Sequence, residues 1–317
     1  MKFPFFLFAL VILFGCFTAC HKSGDAPTMP VAQDTLLGWQ KITGLKEAQD
    51  IWFVNPAKGF VCGNSMIYSS QDSGKTWTPA LGVPANVYNI WFLDTQIGAA
   101  IGDTDLYVTT NGGTKWTKKK MPGITGIGTV DIQFTSPSIA YIAAPNGVFK
   151  TTDTCNSWTK VYSDRTGGMF FFNSNEGLLC KLAGIIEPSN VFKTTDGGIH
   201  WQGIFNINSI SPISIMQFSD NMHGWLINGN VLYNTTDGGT TWSPNRYTGN
   251  NAWDVFFINS QTGYYALSDE IFKTIDGGKN WSRSCKLATP GIWEIYFLDD
   301  KTGWACCEDG SILRLKQ

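Results

Sequence analysis

The sequence predicts an all-β fold, a seven-bladed β-propeller with four-stranded blades, and three observations predict it. A box running from Ser or Thr through Asp to Trp recurs six times at a nearly constant spacing. Three other apolar runs recur around it, seven times each. The composition carries 34 Gly, 13 Trp and 21 Phe with only 15% charged residues, a mixture suited to short strands, tight turns and aromatic packing.

The boxes align without gaps: SQDSGKTW (70–77), TTNGGTKW (109–116), TTDTCNSW (151–158), TTDGGIHW (194–201), TTDGGTTW (235–242) and TIDGGKNW (274–281). Each places Asp72, Asn111, Asp153, Asp196, Asp237 or Asp276 five residues before Trp77, Trp116, Trp158, Trp201, Trp242 or Trp281. Upstream lies an Ile-x-Phe run: Ile51–Phe53, Ile90–Phe92, Ile132–Phe134, Val255–Phe257 and Ile295–Phe297, with weaker copies at Met169–Phe171 and Met216–Phe218. A second run follows, often opening on Gly, as in Gly59–Gly63 and Gly303–Cys307. A third, such as Ile67–Tyr68 or Ile312–Leu313, leads into the box, and the Trp opens a fourth. Four short strands per ~40 residues is the period of a propeller blade.

The first-strand and third-strand runs give seven blades, but the chain ends before a seventh box. The missing strand is expected at the other end, where Gly38–Trp39–Gln40–Lys41–Ile42 resembles a post-box strand 38 residues before Trp77. Pairing it with the Ile312–Leu315 strand would close the ring and remove two open edges. Within the box, Asp caps backbone amides, Gly-Gly supplies positive φ, and Trp buries its ring with its N–H bonded. Asn111 makes the same turn without charge. Thr154 and Cys155 replace both glycines, so the third turn is expected to be strained. A repeated position does a repeated job, so these Asp and Trp residues are structural.

The N-terminus has the form of a targeting segment. Lys2 precedes an apolar run, Phe3 to Phe14, and Phe17–Thr18–Ala19–Cys20 precedes polar residues. That pattern resembles a bacterial lipobox with Cys20 as the acylated residue. The expected division is residues 1–19 as lipoprotein signal peptide, 20–37 as tether and 38–317 as propeller. The expected location is the bacterial cell envelope, lipid-anchored to the outer membrane on its periplasmic or surface side. Ordinary secretion and an uncleaved anchor are the alternatives. Six body cysteines in an exported chain are too sparse for a disulfide scaffold and are expected to be buried small hydrophobes. No Cys or His spacing suggests a metal, nothing calls for a cofactor, and the net charge of −2 lacks the basic stripe of a nucleic-acid binder.

With TTDGGTTW and TIDGGKNW in hand, residues 39–317 resemble the Asp-box (bacterial neuraminidase repeat) propellers. Among these the chain is most similar to the photosystem II assembly and stability factor-like lipoproteins. The resemblance implies propeller-mediated binding. It does not imply a photosystem partner, because Arg165, Arg246, Arg283 and Arg314 fall at unlike repeat positions and form no matching cluster. A sialidase would need several convergent arginines, and no Arg-Ile-Pro signature is present.

Function is expected on the face away from the boxes. The residue before each Ile-x-Phe run is Asp50, Asn89, Asp131, Gly168, Ile215, Asp254 or Glu294, with Trp52 and Trp91 two positions on from the first two. These form a candidate ring at the channel mouth, able to hold a cation, a sugar or a Lys/Arg side chain. The competing reading is that the carboxylates bond the backbone of the next blade. The loop 181–190 in the fourth blade is the main irregularity of the repeat. Asp103, Asp105, Glu187, Asp269, Glu270, Glu308 and Asp309 add charge to the same face. The preferred function is a non-enzymatic, protein-binding assembly module anchored in the envelope. The alternatives are glycan binding or a glycosidase-like activity, which needs two carboxylates across a cleft.

Overall fold

The computed structural model describes residues 34–316 apart from 64–65, 81–86, 103, 125–130, 182–188, 210, 212, 248–251 and 289–290. Cys20, the signal peptide and most of the tether lie outside the described residues, as do Asp103, Glu187 and most of the 181–190 loop. Seven four-stranded antiparallel sheets form seven blades. Blades 1 to 6 open on Asp50–Phe53, Asn89–Phe92, Asp131–Phe134, Thr166–Phe171, Ile213–Phe218 and Asp254–Phe257, each followed by its next three strands in order. Blade 7 takes Ile292–Phe297, Gly303–Cys307 and Ile312–Leu315 from the C-terminus and Trp39–Ile42 from the N-terminus. The seven first strands neighbour one another in a closed ring.

Closure occurs as the sequence predicts. Trp39 faces Leu315 and Ile42 faces Ile312 in an antiparallel register. Trp39 is 2% exposed, meets Phe297 edge-on at 5.9 Å, and its indole N–H donates to Ser284 Oγ at 3.1 Å. Docking begins earlier than the expected tether boundary. Thr35 exchanges backbone hydrogen bonds with Lys286, and Asp34 accepts from the Ala288 N–H at 2.8 Å. Backbone donors and acceptors on the fourth strand of blade 6 would otherwise lack partners there.

The core lies between blades, and it explains why the motifs travel together. In five blades the Phe of the Ile-x-Phe run stacks on the second-strand aromatic of the preceding blade, as Phe53 on Trp304 at 3.4 Å, Phe171 on Tyr141 at 3.5 Å and Phe257 on Trp225 at 3.5 Å. The box Trp of the same blade meets that Phe edge-on, as Trp77 meets Phe53 at 5.9 Å and Trp281 meets Phe257 at 5.8 Å. Opposite Phe53 the second strand carries Gly59, where a Cβ would fall 2.5 Å from the ring. Glycine at this position therefore makes room for the ring rather than bending the strand.

Each box turn is held by two side chains. Asp237 Oδ1 accepts from the Thr241 N–H at 2.9 Å and Oδ2 from the Thr241 hydroxyl at 2.6 Å. Thr235 donates its hydroxyl to Asp237 at 2.7 Å and accepts the Gly239 N–H at 3.0 Å. The same Ser/Thr role recurs at Ser70, Thr109, Thr151, Thr194 and Thr274, all buried. Asn111 makes the turn through Oδ1 alone. The Trp N–H finds a carbonyl in five boxes, for example Trp242 to Gly239 at 3.0 Å, but Trp116 Nε1 has no partner among the described residues. Thr154 and Cys155 sit at φ 56° and 62°, in the left-handed region. Thr154→Gly is therefore expected to stabilise the fold by up to ~1 kcal/mol in urea unfolding, the relief of strain exceeding the added chain entropy. A destabilised variant would show the turn to be unstrained.

All six body cysteines are buried. Burial pushes the Cys155, Cys285 and Cys307 thiols up to about 12, which leaves them unreactive.

Candidate functional site

The first-strand ring brings the predicted residues to one level. Asp50 pairs with Cys62, Asn89 with Ile101, Asp131 with Ala143, Ile215 with Ile227, Asp254 with Ala266 and Glu294 with Cys306, equivalent positions in successive blades. Gly168 lies in a bulge at the same level.

Two of the carboxylates are committed to the backbone. Asp50 accepts from its own strand, the Ile51 N–H at 2.6 Å, and from the next blade, the Ile90 N–H at 2.8 Å. Asp254 repeats the pattern with Val255 at 2.7 Å and Ile295 at 2.9 Å. Each is a staple between blades, made by a residue 8% or 5% exposed. Asn89 hydrogen-bonds the Asp131 side chain across the next interface, and Glu294 hydrogen-bonds Asp254.

The position two residues further on also binds the following blade. Gln133 grips the Phe171 backbone through both amide atoms, and Gln217 grips Phe257 likewise. Tyr296 donates to the Phe53 carbonyl at 3.0 Å. Where the residue is aromatic the contact is a ring pair: Trp91 with Phe134 at 5.8 Å, Phe170 with Phe218 at 5.0 Å. Trp52 lies between Trp91 at 5.5 Å and Tyr296 at 5.0 Å. Both indoles remain partly exposed. The amide grip is a role the sequence reading missed; its signal was Gln at the Trp52-equivalent position in two blades.

Burial sets the electrostatics of the ring. It raises the Asp254 carboxyl to about 7, against the pull of the Ile295 and Val255 amides and with a push from the Asp50 charge. It raises Asp131 to about 6, although that residue stays partly accessible. Two carboxyls that hold protons near neutrality are thus set in the channel wall. The outer charges are paired: Asp105 with Lys118, Asp269 with Lys286 at 3.6 Å, Glu270 with Arg283 at 2.9 Å, Asp309 with Lys41 at 3.3 Å. Glu308 is exposed. No three described His, Cys, Asp or Glu residues gather as a metal site would.

A separate feature escaped the sequence reading. A cleft of about 570 Å³ opens on the box face between blades 5 and 6.

Neither a protein-family model nor a curated protein matches the chain. Solved structures do. YCF48 bound to a D1 peptide has a TM-score of 0.70 at 17% identity over 88% of this chain and 97% of its own. YCF48 from Cyanidioschyzon merolae gives 0.70 and 17% over 88% and 98%. The GH74 enzyme of Niastella koreensis gives 0.70 at 14% identity over 86% of this chain and 52% of its own, so this chain spans about half of that enzyme. Likeness at these identities is a likeness of fold: the chain is a seven-bladed, four-stranded-blade β-propeller of the architecture those proteins share.

Proposed function

We propose that this chain is an Asp-box propeller, lipid-anchored through Cys20 in a bacterial cell envelope, that acts as a non-enzymatic protein-binding assembly module. The observation that carries the reading is the use of the mouth carboxylates. Asp50 and Asp254 give both oxygens to backbone amides, which is the work of a scaffold rather than of a catalytic pair. The likeness to a propeller solved with a bound peptide supports a protein partner. Trp52 and Trp91, partly exposed beside the acidic ring, are the candidate contact residues, together with Asp50, Asn89, Asp131, Asp254 and Glu294.

One observation favours the second reading, a glycan-binding or glycosidase-like propeller. Asp131 and Asp254 are raised to about 6 and about 7, the range of a general acid. The mature chain, used as bait against solubilised envelope and screened in parallel against polysaccharides, separates the two. A stable protein partner with no turnover is the expected result. Turnover that disappears in Asp131→Asn or Glu294→Gln would replace the scaffold with an enzyme. For the anchor, Cys20→Ser is expected to move the protein from the membrane to the soluble fraction; retention in the membrane would remove the lipid from the proposal.

A further inference from the structure

The cleft between blades 5 and 6 lies where blade 5 departs from an arrangement that blades 3 and 6 share. In blade 3, Tyr141 stacks on Phe171 of the next blade, and the Lys150 ammonium lies over the ring at 5.3 Å. Lys150 also donates to the Gly197 carbonyl in the next box turn at 3.0 Å. Blade 6 repeats the stacked ring under a cation: Tyr264 stacks on Phe297 at 3.8 Å under Lys273 at 5.3 Å. Blade 1 obtains its cation from another strand end, with Lys58 5.6 Å from Phe60, itself stacked on Phe92.

Blade 5 keeps the aromatic and lacks the cation. Trp225 stacks on Phe257 at 3.5 Å, in parallel planes. Its cross-strand partner, where Tyr141 has Lys150 and Tyr264 has Lys273, is Asn234. The counterpart of Lys58 is His223, whose ring is turned to Asp220 at 2.9 Å. Among the described residues no lysine or arginine lies over Trp225. Beside the ring lies the cleft, walled by Trp225, Asn234, Asn245, Asp276, Gly277 and, from blade 6, Lys279.

Its hydrogen bonding is incomplete. Asn245 Nδ2 bridges Asn234 Oδ1 at 3.3 Å and the Gly277 carbonyl at 3.1 Å, the second being the counterpart of the oxygen that Lys150 binds in blade 4. Trp304, the blade 7 equivalent of Trp225, donates its N–H to Ser73 in the next turn at 3.0 Å. With Gly277 taken by Asn245, Trp225 Nε1 has no partner among the described residues, in a residue only 2% exposed. An orphaned buried donor is destabilising, so this wall leaves part of its hydrogen bonding unmet.

We propose that this cleft receives a lysine side chain from a partner polypeptide, whose ammonium takes the place over Trp225 that Lys150 and Lys273 fill from within in blades 3 and 6. The ammonium displaces the Asn245 amide and donates to the Asn234 and Gly277 oxygens, with the Asp276 carboxylate beside them. Blade 3 shows the same chemistry satisfied internally, ring face plus turn carbonyl, and blade 6 shows the ring face. This specifies partner chemistry for the protein-binding function proposed above and rests on it.

The test needs no identified partner. The indole N–H resonance of Trp225, assigned by its absence in Trp225→Phe, is followed in the full chain during titration with a capped Gly-Gly-Lys-Gly-Gly peptide and with its Nε-acetyl form. The lysine peptide is expected to shift the resonance saturably and to bind at least about tenfold more tightly than the acetylated one. Asn234→Lys, which installs the residue that blades 3, 4 and 6 already carry, is expected to abolish the response while keeping the fold. Equal responses to both peptides, no response to either, or an undiminished response in Asn234→Lys would each overturn the assignment. A protein partner captured by the envelope bait but indifferent to Asn234→Lys would leave the assembly function standing and remove this site from it.

Discussion

A chain lacking residues 34–42 is expected to lose its cooperative thermal transition, and Trp39→Ala alone to cost ~3–5 kcal/mol in denaturant unfolding. The nine residues supply the fourth strand of blade 7 and, through Thr35 and Asp34, bond the edge of blade 6. Without them the strand Ile312–Leu315 presents an unpaired edge, and the Trp39 ring leaves a hole among Phe297, Tyr264, Ile295 and Leu313. A ring differs from an open array in that one missing strand removes closure for all seven blades, while the exposed edge becomes a template for aggregation. The check is a melt followed by near-ultraviolet circular dichroism. A transition unchanged in midpoint and steepness would mean that the blades stand without closure.

The second large effect is pH-dependent. Asp254 titrates at about 7 in the folded protein against an ordinary 3.8, and Asp131 at about 6. Between these limits the folded state holds protons that the unfolded chain has released. Stability from these groups is complete below about pH 4 and is lost as pH rises toward 7. Glu294→Gln is expected to raise the melting temperature at about pH 8 by a few degrees, ~1–2 kcal/mol. The amide keeps a hydrogen bond to Asp254 and leaves no second titratable carboxyl bonded to it. It should also shallow the decline between about pH 5 and 8 without abolishing it, since Asp131 remains. On the acid side the box turns act oppositely. Hydrogen bonds from Ser157, His200 and Asn280 hold Asp153, Asp196 and Asp276 at about 2, and their stabilisation is lost as pH falls from about 4 toward 2. A melting temperature flat from pH 5 to 8, or lowered at pH 8 by Glu294→Gln, would contradict the assignment of the ring carboxyls.

How far the sequence could be read differs from residue to residue. The box turns were legible because their bonds are local: Asp237 reaches Thr241 four residues on, and Thr235 reaches Gly239 at the same separation. The glycines opposite Ile-x-Phe were visible as a repeat, but their reason, a neighbouring ring 2.5 Å from the missing Cβ at Gly59, was not. The expected role of the mouth carboxylates stayed open because it depends on partners about one repeat away. Asp50 meets Ile90 and Asp254 meets Ile295 only once the blades stand side by side.

The sequence alone determined the blade count, the strand order and the residue that closes the ring. A repeat forces the same local solution seven times, and the count of runs then leaves one strand to be supplied by Trp39–Ile42. The tertiary structure decided what each repeated position touches. It committed Asp50 and Asp254 to backbone amides, raised Asp254 and Asp131 by burying them, and left a cleft beside Trp225 where blades 3 and 6 place a lysine. The physical reason is that burial and blade-to-blade contact are properties of neighbouring repeats packed together, and a single repeat, however well read, does not contain its neighbour.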